Sequence, residues 1–400
     1  MQKSSSGYSV QYAVMVRYSE IFLKSEPVKR RFLAVLTKNI GRALHAVLID
    51  HTIELYRGRV LIHSSTPDTV IPVLSRIFGI LDMSTVIVTG TSREELSRAA
   101  IFYAQTHLKP GMSFAIRARR DGILEYTSQE LAASIGSDIL TAFPDVTVDL
   151  TTPQYEIHVE ARKEGGLVYD SRVAGPGGLP LGTQGNLISL LSAGIDSPVA
   201  SWLMMKRGVT LTFLHIDGGT YGGNDIMRCS QSHLCQLSCW SSGTPLRMMV
   251  ITGEPFFEAL IKIKKARYRC LVCKAYMLAL AGTLANDYGA EGMVTGDNVG
   301  QVASQTLANL SLLSSVTATP IFRPLIAYDK EEIIQRARKI GTFIAEPGDT
   351  SCHAVPKYPA TQAECEELQA CIHEMDFPRF ISEAFAKKRM IVAQNGLIIE

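Results

Sequence analysis

The chain has 400 residues, 46% of them hydrophobic and 20% charged, with a formal net charge of +2. That length calls for two or three domains with sizeable cores, and the near-neutral balance excludes a chain that is basic throughout, so any nucleic-acid surface has to be a local patch. No apolar run reaches the length of a membrane span, residues 1–16 lack a charged segment followed by an apolar core, and the eight cysteines then read as thiols, metal ligands or redox groups rather than a disulfide framework, which gives a cytoplasmic expectation.

Residues 1–67 open with an alternating strand at 12–17. The run Tyr18-Ser19-Glu20-Ile21-Phe22-Leu23-Lys24 then leads into a helix carrying Lys29, Arg30 and Arg31, followed by Phe32, Leu33, Val35, Leu36 and Ile40. Strands are expected at 46–55 and 59–63, and this order suits a small α+β unit of ferredoxin-like type. The Lys–Arg cluster reads as a solvated helix face. In residues 68–172 a helix at 69–78 stops at Gly79, and a strand at 84–88 precedes a helix at 92–107. Residues 113–120 alternate and place Arg117 and Arg119 on one face of a strand. With Lys109 and Arg120 nearby they form a phosphate-contacting stripe. A helix at 128–140 and strands at 146–150 and 156–160 complete this unit.

The linker Gly175-Pro176-Gly177-Gly178-Leu179-Pro180-Leu181-Gly182 punctuates the chain. Beyond it, the organising stretch is a strand at 187–191, the small-residue loop Ser192-Ala193-Gly194-Ile195-Asp196-Ser197, then Pro198 and an amphipathic helix through Trp202, Leu203 and Met205 to Gly208. A strand, a short loop and a helix N-terminus hold phosphate, because backbone N–H groups and the helix dipole both favour an anion. The GxxxxGK[ST] loop is excluded, since no lysine follows at the required place. Strands at 210–216, 247–251 and 292–295 alternate with helices at 225–239, 256–263, 271–288, 301–313 and 330–340. This pattern implies a parallel sheet covered on both faces, with ligands at the carboxyl ends of its strands.

Two further constellations bear on chemistry. Thr295-Gly296-Asp297-Asn298-Val299-Gly300-Gln301-Val302-Ala303-Ser304-Gln305 is a second glycine-bearing turn, with Gln305 as an amide partner for a nucleotide. Cys270 and Cys273 start a helix three residues apart, on one face, and Cys352 lies downstream in Gly348-Asp349-Thr350-Ser351-Cys352-His353. A disulfide, a zinc site completed by His353, an iron–sulfur cluster on three thiolates and two half-buried helix cysteines all fit that spacing. Lys274 faces phosphates or solvent. Cys229, Cys235 and Cys239 share a helix and read as buried packing, and His215, at a strand end, reads as structural.

Taken together these residues resemble the tRNA 4-thiouridine synthetase (tRNA sulfurtransferase) family along nearly the whole chain. Arg17-Tyr18-Ser19-Glu20-Ile21 with Lys24 resembles its ferredoxin-like domain, expected over residues 1–67. Residues 113–120 and Thr127-Ser128-Gln129-Glu130 resemble its RNA-binding THUMP domain, expected over 68–172. Gly182-Thr183-Gln184-Gly185, the loop 192–198 and the turn 295–305 resemble its ATP-cleaving PP-loop domain, expected over 173–400. The resemblance implies adenylation of a tRNA uridine, expected at position 8, on its C4 oxygen, followed by sulfur attack and loss of AMP. Nucleotide contacts are expected from Leu190, Leu191, Ser192, Gly194, Asp196, Ser197, Lys274, Gly296 and Gln305, with Asp196 also holding Mg2+. The trio Cys270, Cys273 and Cys352 resembles that of members binding a [4Fe–4S] cluster, and the chain stops too soon after Cys352 for the rhodanese domain of other members. Sulfide or a cysteine desulfurase persulfide is the expected donor and a homodimer the expected state. Ala193 departs from the usual glycine of the SGGxDS signature, and its small side chain leaves ATP binding expected. Alternatives are a PP-loop ligase acting on another substrate, an RNA-binding protein with a degenerate PP-loop, and sulfur transfer for thiamine thiazole synthesis.

Overall fold

The computed structural model describes residues 11–56, 58–122 and 125–400. Residues 1–10, part of the segment read as lacking a leader, lie outside them. No helix among the described residues is long and apolar enough to cross a membrane. The chain forms two compact units divided near Gly177, with Ala34–Arg42 clustering with the second.

The first unit is built on β1 (Gln11–Tyr18), α1 (Glu26–His45), β2 (Thr52–Tyr56), β3 (Arg59–His63), α2 (Pro67–Leu74) and β4 (Ile80–Thr89). Its strands lie in the order β2-β3-β1-β4, paired antiparallel, which is the ferredoxin-like arrangement. Because β1 is central, Ala13 to Val16 are buried on both faces and read as a continuous apolar run rather than an alternation. The βαββαβ order is completed only by α2 and β4, beyond residue 67, where the sequence placed the end of this segment. The strand expected from residue 46 starts at Thr52; residues 46–50 turn, with Leu48 at φ 58°. Arg17 of the opening motif is a structural residue. It is ion-paired to Asp82, donates to Ser84 Oγ at 2.7 Å and lies 5.0 Å from the centre of the Tyr169 ring.

The same sheet continues through α3 (Arg93–His107), β5 (Ser113–Arg120), α4 (Ser128–Ala142), β6 (Thr147–Val148), β7 (Tyr155–Arg162), β8 (Gly165–Tyr169) and β9 (Val173–Ala174). Ser92 caps α3, and Thr127 with Glu130 forms a reciprocal capping box on α4. Leu96, Ala100, Leu131 and Ile135 of these helices pack on Phe114, Ile157 and Val159 of the sheet.

The second unit contains β10 (Asn186–Leu190), α5 (Asp196–Lys206), β11 (Thr210–Asp217), α6 (Ile226–Ser238), β12 (Leu246–Thr252), α7 (Glu254–Leu260), α8 (Arg269–Tyr288), β13 (Met293–Val294), α9 (Leu307–Ser314), β14 (Ile321–Phe322), α10 (Lys330–Ile340), α11 (Cys365–Glu374), α12 (Phe377–Ala386), β15 (Arg389–Gln394) and β16 (Leu397–Ile398). The strand order is β14-β13-β10-β11-β12-β15-β16, parallel from β14 to β12, with β15 and β16 added antiparallel at one edge. The parallel sheet expected from the alternation is therefore mostly parallel. Residues 301–306 form a loop and a short 3-10 turn, so the helix expected over 301–313 starts at Leu307. The buried side of α8 anchors this unit: Tyr276 stacks on Phe256 with ring centres 3.8 Å apart, and Leu271, Val272, Leu280 and Leu284 join the same core.

Candidate active site

β10 delivers Leu190 and Leu191 to the carboxyl end of the parallel sheet, and Ser192 to Ile195 turn the chain into α5. The turn is tied internally. Ser192 N–H donates to Ser197 Oγ at 2.9 Å, and Gly194 N–H donates to Ser192 Oγ at 3.3 Å. Asp196 is the first residue of α5, so its carboxylate stands at the positive end of the helix. Lys330 Nζ meets its Oδ1 at 2.8 Å, and Gln301 Nε2 lies 3.5 Å from its Oδ2. The second turn packs directly on this one. A Cβ placed on Gly296 would sit 2.8 Å from the Ser197 nitrogen and 3.0 Å from the Asp196 carbonyl carbon, so only glycine permits this approach.

Asp297 is the electrostatic hub of the second turn. It accepts from Lys274 Nζ at 2.7 Å, Thr295 Oγ1 at 2.8 Å and Gln305 Nε2 at 3.3 Å, and Arg323 Nε lies at 3.4 Å. Burial pushes its pKa up, but the Lys274 ammonium, the Thr295 hydroxyl and the Arg323 guanidinium together outweigh that and hold it below the usual carboxylate range. Lys274 comes from α8 and Arg323 follows β14, so the two cations converge from different elements.

The signature loop, Lys274, Thr295, Asp297 and Gln305 line a cavity of about 420 Å³, whereas Arg323, Gln301 and Lys330 stand behind that lining. Leu190, Leu191, Ser192, Gly194, Asp196, Ser197, Lys274, Gly296 and Gln305 all border it, and so do His215 and Cys352. Its volume is that of a small-molecule site. His215 Nδ1–H donates to the Leu191 carbonyl at 2.8 Å, burial keeps the ring neutral, and Nε2 is buried without a protein partner. Gln305 Oε1 and Arg323 Nη2 are also buried and unpartnered. Buried polar atoms left this way mark where a ligand's own polar groups belong. The structural reading of His215 is thus incomplete, since the ring both braces Leu191 and lines the cavity.

Cys270 and Cys273 sit one turn apart at the start of α8, and Cys352 lies on the facing segment, bridged through its backbone to Gly222. Burial raises the pKa of Cys270, with Cys352 adding to it; burial raises Cys273 far above the ordinary thiol range, with Cys352 and Cys270 adding to it. The three thiols are thus electrostatic neighbours. They are free thiols here, and among the described residues no group of three or more His, Cys, Asp or Glu is gathered to hold a metal ion. His353 N–H donates to the Tyr221 carbonyl and its Nδ1 faces the Thr220 carbonyl, so it is engaged with backbone rather than with the cysteines. Cys229 is buried as the sequence implied, whereas Cys235 and Cys239 are only half-buried.

In the first unit, Arg117 is committed to Glu156 at 2.7 Å and to the Leu150 carbonyl at 3.0 Å, while Arg119 is exposed. Both border an open groove of about 870 Å³ with Gln129 and His158. Sequence reasoning singled out neither Lys330 nor Arg323, and left Asp297 without a role. All three are ordinary charged residues whose meaning comes only from distant partners. The signal open to inspection was Asp297 within the glycine turn.

Sequence comparison sets this geometry among known proteins. Residues 182–377 match the family described as thiamine biosynthesis protein (ThiI), residues 13–84 the ThiI ferredoxin-like domain, and residues 90–169 the THUMP domain. A "Probable tRNA sulfurtransferase" of Methanobrevibacter smithii is 37% identical, over 93% of this chain and 98% of its own length. The chain belongs to the tRNA sulfurtransferase family. A tRNA sulfurtransferase of Thermoplasma volcanium is 33% identical over 94% of this chain and 77% of its own length. Among solved structures, a 4-thiouridine synthetase in complex with RNA and with bound ATP superimposes with a TM-score of 0.88 at 32% identity, covering 96% of this chain and 99% of that one. The sulfurtransferase fold thus spans both units.

Proposed function

We propose that this protein is an ATP-dependent tRNA sulfurtransferase that replaces the C4 oxygen of a tRNA uridine, expected at position 8, with sulfur to give 4-thiouridine. The observation that carries the reading is the cavity where the Ser192–Ser197 loop, Lys274, Gly296 and Gln305 meet beside Cys352. A uridine oxygen is a poor leaving group until it is adenylated. The uracil O4 attacks the α-phosphorus of ATP, the bond to the β-phosphate oxygen breaks, pyrophosphate leaves and N3 gives up its proton. Sulfide then adds at C4 and AMP departs, with no change of oxidation state.

The chain's own residues supply binding and charge. Backbone N–H groups of the loop and the α5 terminus cradle the phosphates. Lys274 lines the cavity and faces charge that grows on the α-phosphate during attack, while Arg323 shares in neutralising Asp297. The Leu191 backbone and Gln305 hold the adenosine. Magnesium arrives with the nucleotide, and Asp196, a carboxylate bordering the cavity, would hold it in exchange for its pairing with Lys330. The donor set of three neighbouring thiols on apolar walls also suits a [4Fe–4S] cluster, and Cys270, Cys273 and Cys352 are its proposed ligands. Such a cluster, with one iron left open, would bind sulfide and present it to the activated base. Arg119 and the groove around it contact the tRNA backbone, by shape more than by base edges.

Purification without oxygen, with iron and acid-labile sulfide assays on the wild type and on Cys270→Ala, Cys273→Ala and Cys352→Ala, tests the ligand set. Loss of cluster in each variant is expected. A colourless wild type without iron, still thiolating tRNA, contradicts it.

A further inference from the structure

A second cavity of about 340 Å³ lies against the same signature loop. Ala193 and Gly194 border both cavities, as does Thr350, so the two spaces adjoin at the loop that cradles the phosphates. The walls of the second cavity are mainly apolar: Ile195, Ile334, Phe343, Ile344 and Pro347. Its polar groups are few. Lys330 contributes an ammonium already paired with Asp196. Thr342 lines the cavity, is 1% exposed, and its Oγ1 has no partner. His233, 2% exposed, donates from Nδ1 to the Ser192 carbonyl at 3.1 Å and makes a backbone contact with Thr342, which couples this wall to the signature loop.

We infer that this cavity receives the flipped-out uracil of the tRNA and presents its O4 to the ATP α-phosphate where the two cavities adjoin at Ala193, Gly194 and Thr350. The inference rests on the sulfurtransferase reading and adds the place where the base binds. An enzyme acting on a base buried in folded RNA must extrude it into a pocket that offers apolar faces and a hydrogen bond to the base edge. This cavity supplies both, the hydrogen bond from Thr342 Oγ1. The volume suits a single pyrimidine with room for its ribose. Pyrophosphate is a poorer occupant of the part beyond the loop, where the walls are mainly apolar and Lys330 is already paired with Asp196. The ring of Phe343, 36% exposed, carries the Arg338 guanidinium 4.8 Å from its centre, which sets a cation at the rim where the RNA backbone would pass.

Two variants of the full chain test this, Ile344→Trp to fill the cavity and Thr342→Val to remove the hydroxyl without changing shape. Each is measured for ATP affinity, tRNA affinity, and tRNA-dependent AMP release. The filled variant is expected to keep both affinities and lose AMP release by roughly a hundredfold or more, and Thr342→Val to lose about tenfold, the value of one hydrogen bond. Photo-cross-linking of 4-thiouridine-containing product tRNA to the wild type, followed by peptide mass spectrometry, is expected to mark residues 342–347. Unchanged AMP release in both variants, weakened ATP binding in either, or a cross-link elsewhere overturns the cavity assignment. A wild type that releases no AMP with tRNA overturns the sulfurtransferase reading itself, which is a different result.

Discussion

At the scale of single residues, Asp297 matters because two cations depend on it. Asp297→Asn leaves Lys274 and Arg323 facing a neutral amide at a largely buried position. The expected cost is roughly 2–3 kcal/mol of stability, read as a lower urea midpoint with an unchanged slope. The buried histidines give a pH signature. Burial depresses the pKa of both His215 and His233, so the folded state resists their protonation. Their contribution is complete above the ordinary histidine value of about 6.5, and declines as pH falls below it towards their depressed values. Thermal melts are expected to drop between pH 7 and 5, and His215→Gln with His233→Gln to flatten that slope. A melt temperature flat across this range in the wild type would contradict their buried, neutral state. Cysteine accessibility separates the trio: Cys352 is exposed, while Cys273 is half-buried with its thiol held protonated. In cluster-free protein, alkylation followed by mass spectrometry is expected to label Cys352 well before Cys273.

At the scale of elements, the site depends on two turns approaching to contact distance and on one helix delivering a lysine. Gly296→Ala forces its new Cβ against the backbone at Ser197 and Asp196. Backbone cannot yield there as a flexible side chain could, so ATP affinity is expected to fall more than tenfold, as an ATP titration would show, with far-UV circular dichroism unchanged. α10 starts in a capping box, Asp329 with Glu332, and Lys330 is its first residue. Asp329→Ala is expected to cost about 1 kcal/mol and to loosen the Lys330–Asp196 pair, which would appear as a raised KM for ATP beyond what the stability loss explains. The short elements also show where sequence patterns stop being informative. Loop 192–197 and α10 were legible because each carries its own signal: a small-residue turn after an apolar run, and a 3.6-residue apolar period. Residues 301–306 carry helix-compatible side chains, yet the backbone is drawn into a turn that puts Gln301 beside Asp196 and Gln305 beside Asp297. Tertiary hydrogen bonds overrode local propensity there.

At the scale of the whole molecule, family and fold class were readable from ordered motifs, while partnerships were not. Lys330 reaches Asp196 across 134 positions, and Arg323 reaches Asp297 from the neighbouring strand β14, so neither pairing leaves a local trace. The ferredoxin-like unit likewise ends in β4, which pairs with β1 from about 70 residues away along the chain, and a boundary read from local patterns alone stopped short of it. The edge strands β15 and β16, added antiparallel to a parallel sheet, follow no alternating helix-strand rhythm. What the assembled molecule is expected to do can be read in one product. Unmodified tRNA is incubated without oxygen with the protein, ATP, magnesium and sulfide, then digested to nucleosides and analysed by mass spectrometry, with Asp196→Ala run in parallel. 4-Thiouridine is expected to accumulate with ATP and the wild type, and to be absent without ATP or with the variant. Tight tRNA and ATP binding without any 4-thiouridine, after cluster reconstitution, would contradict it.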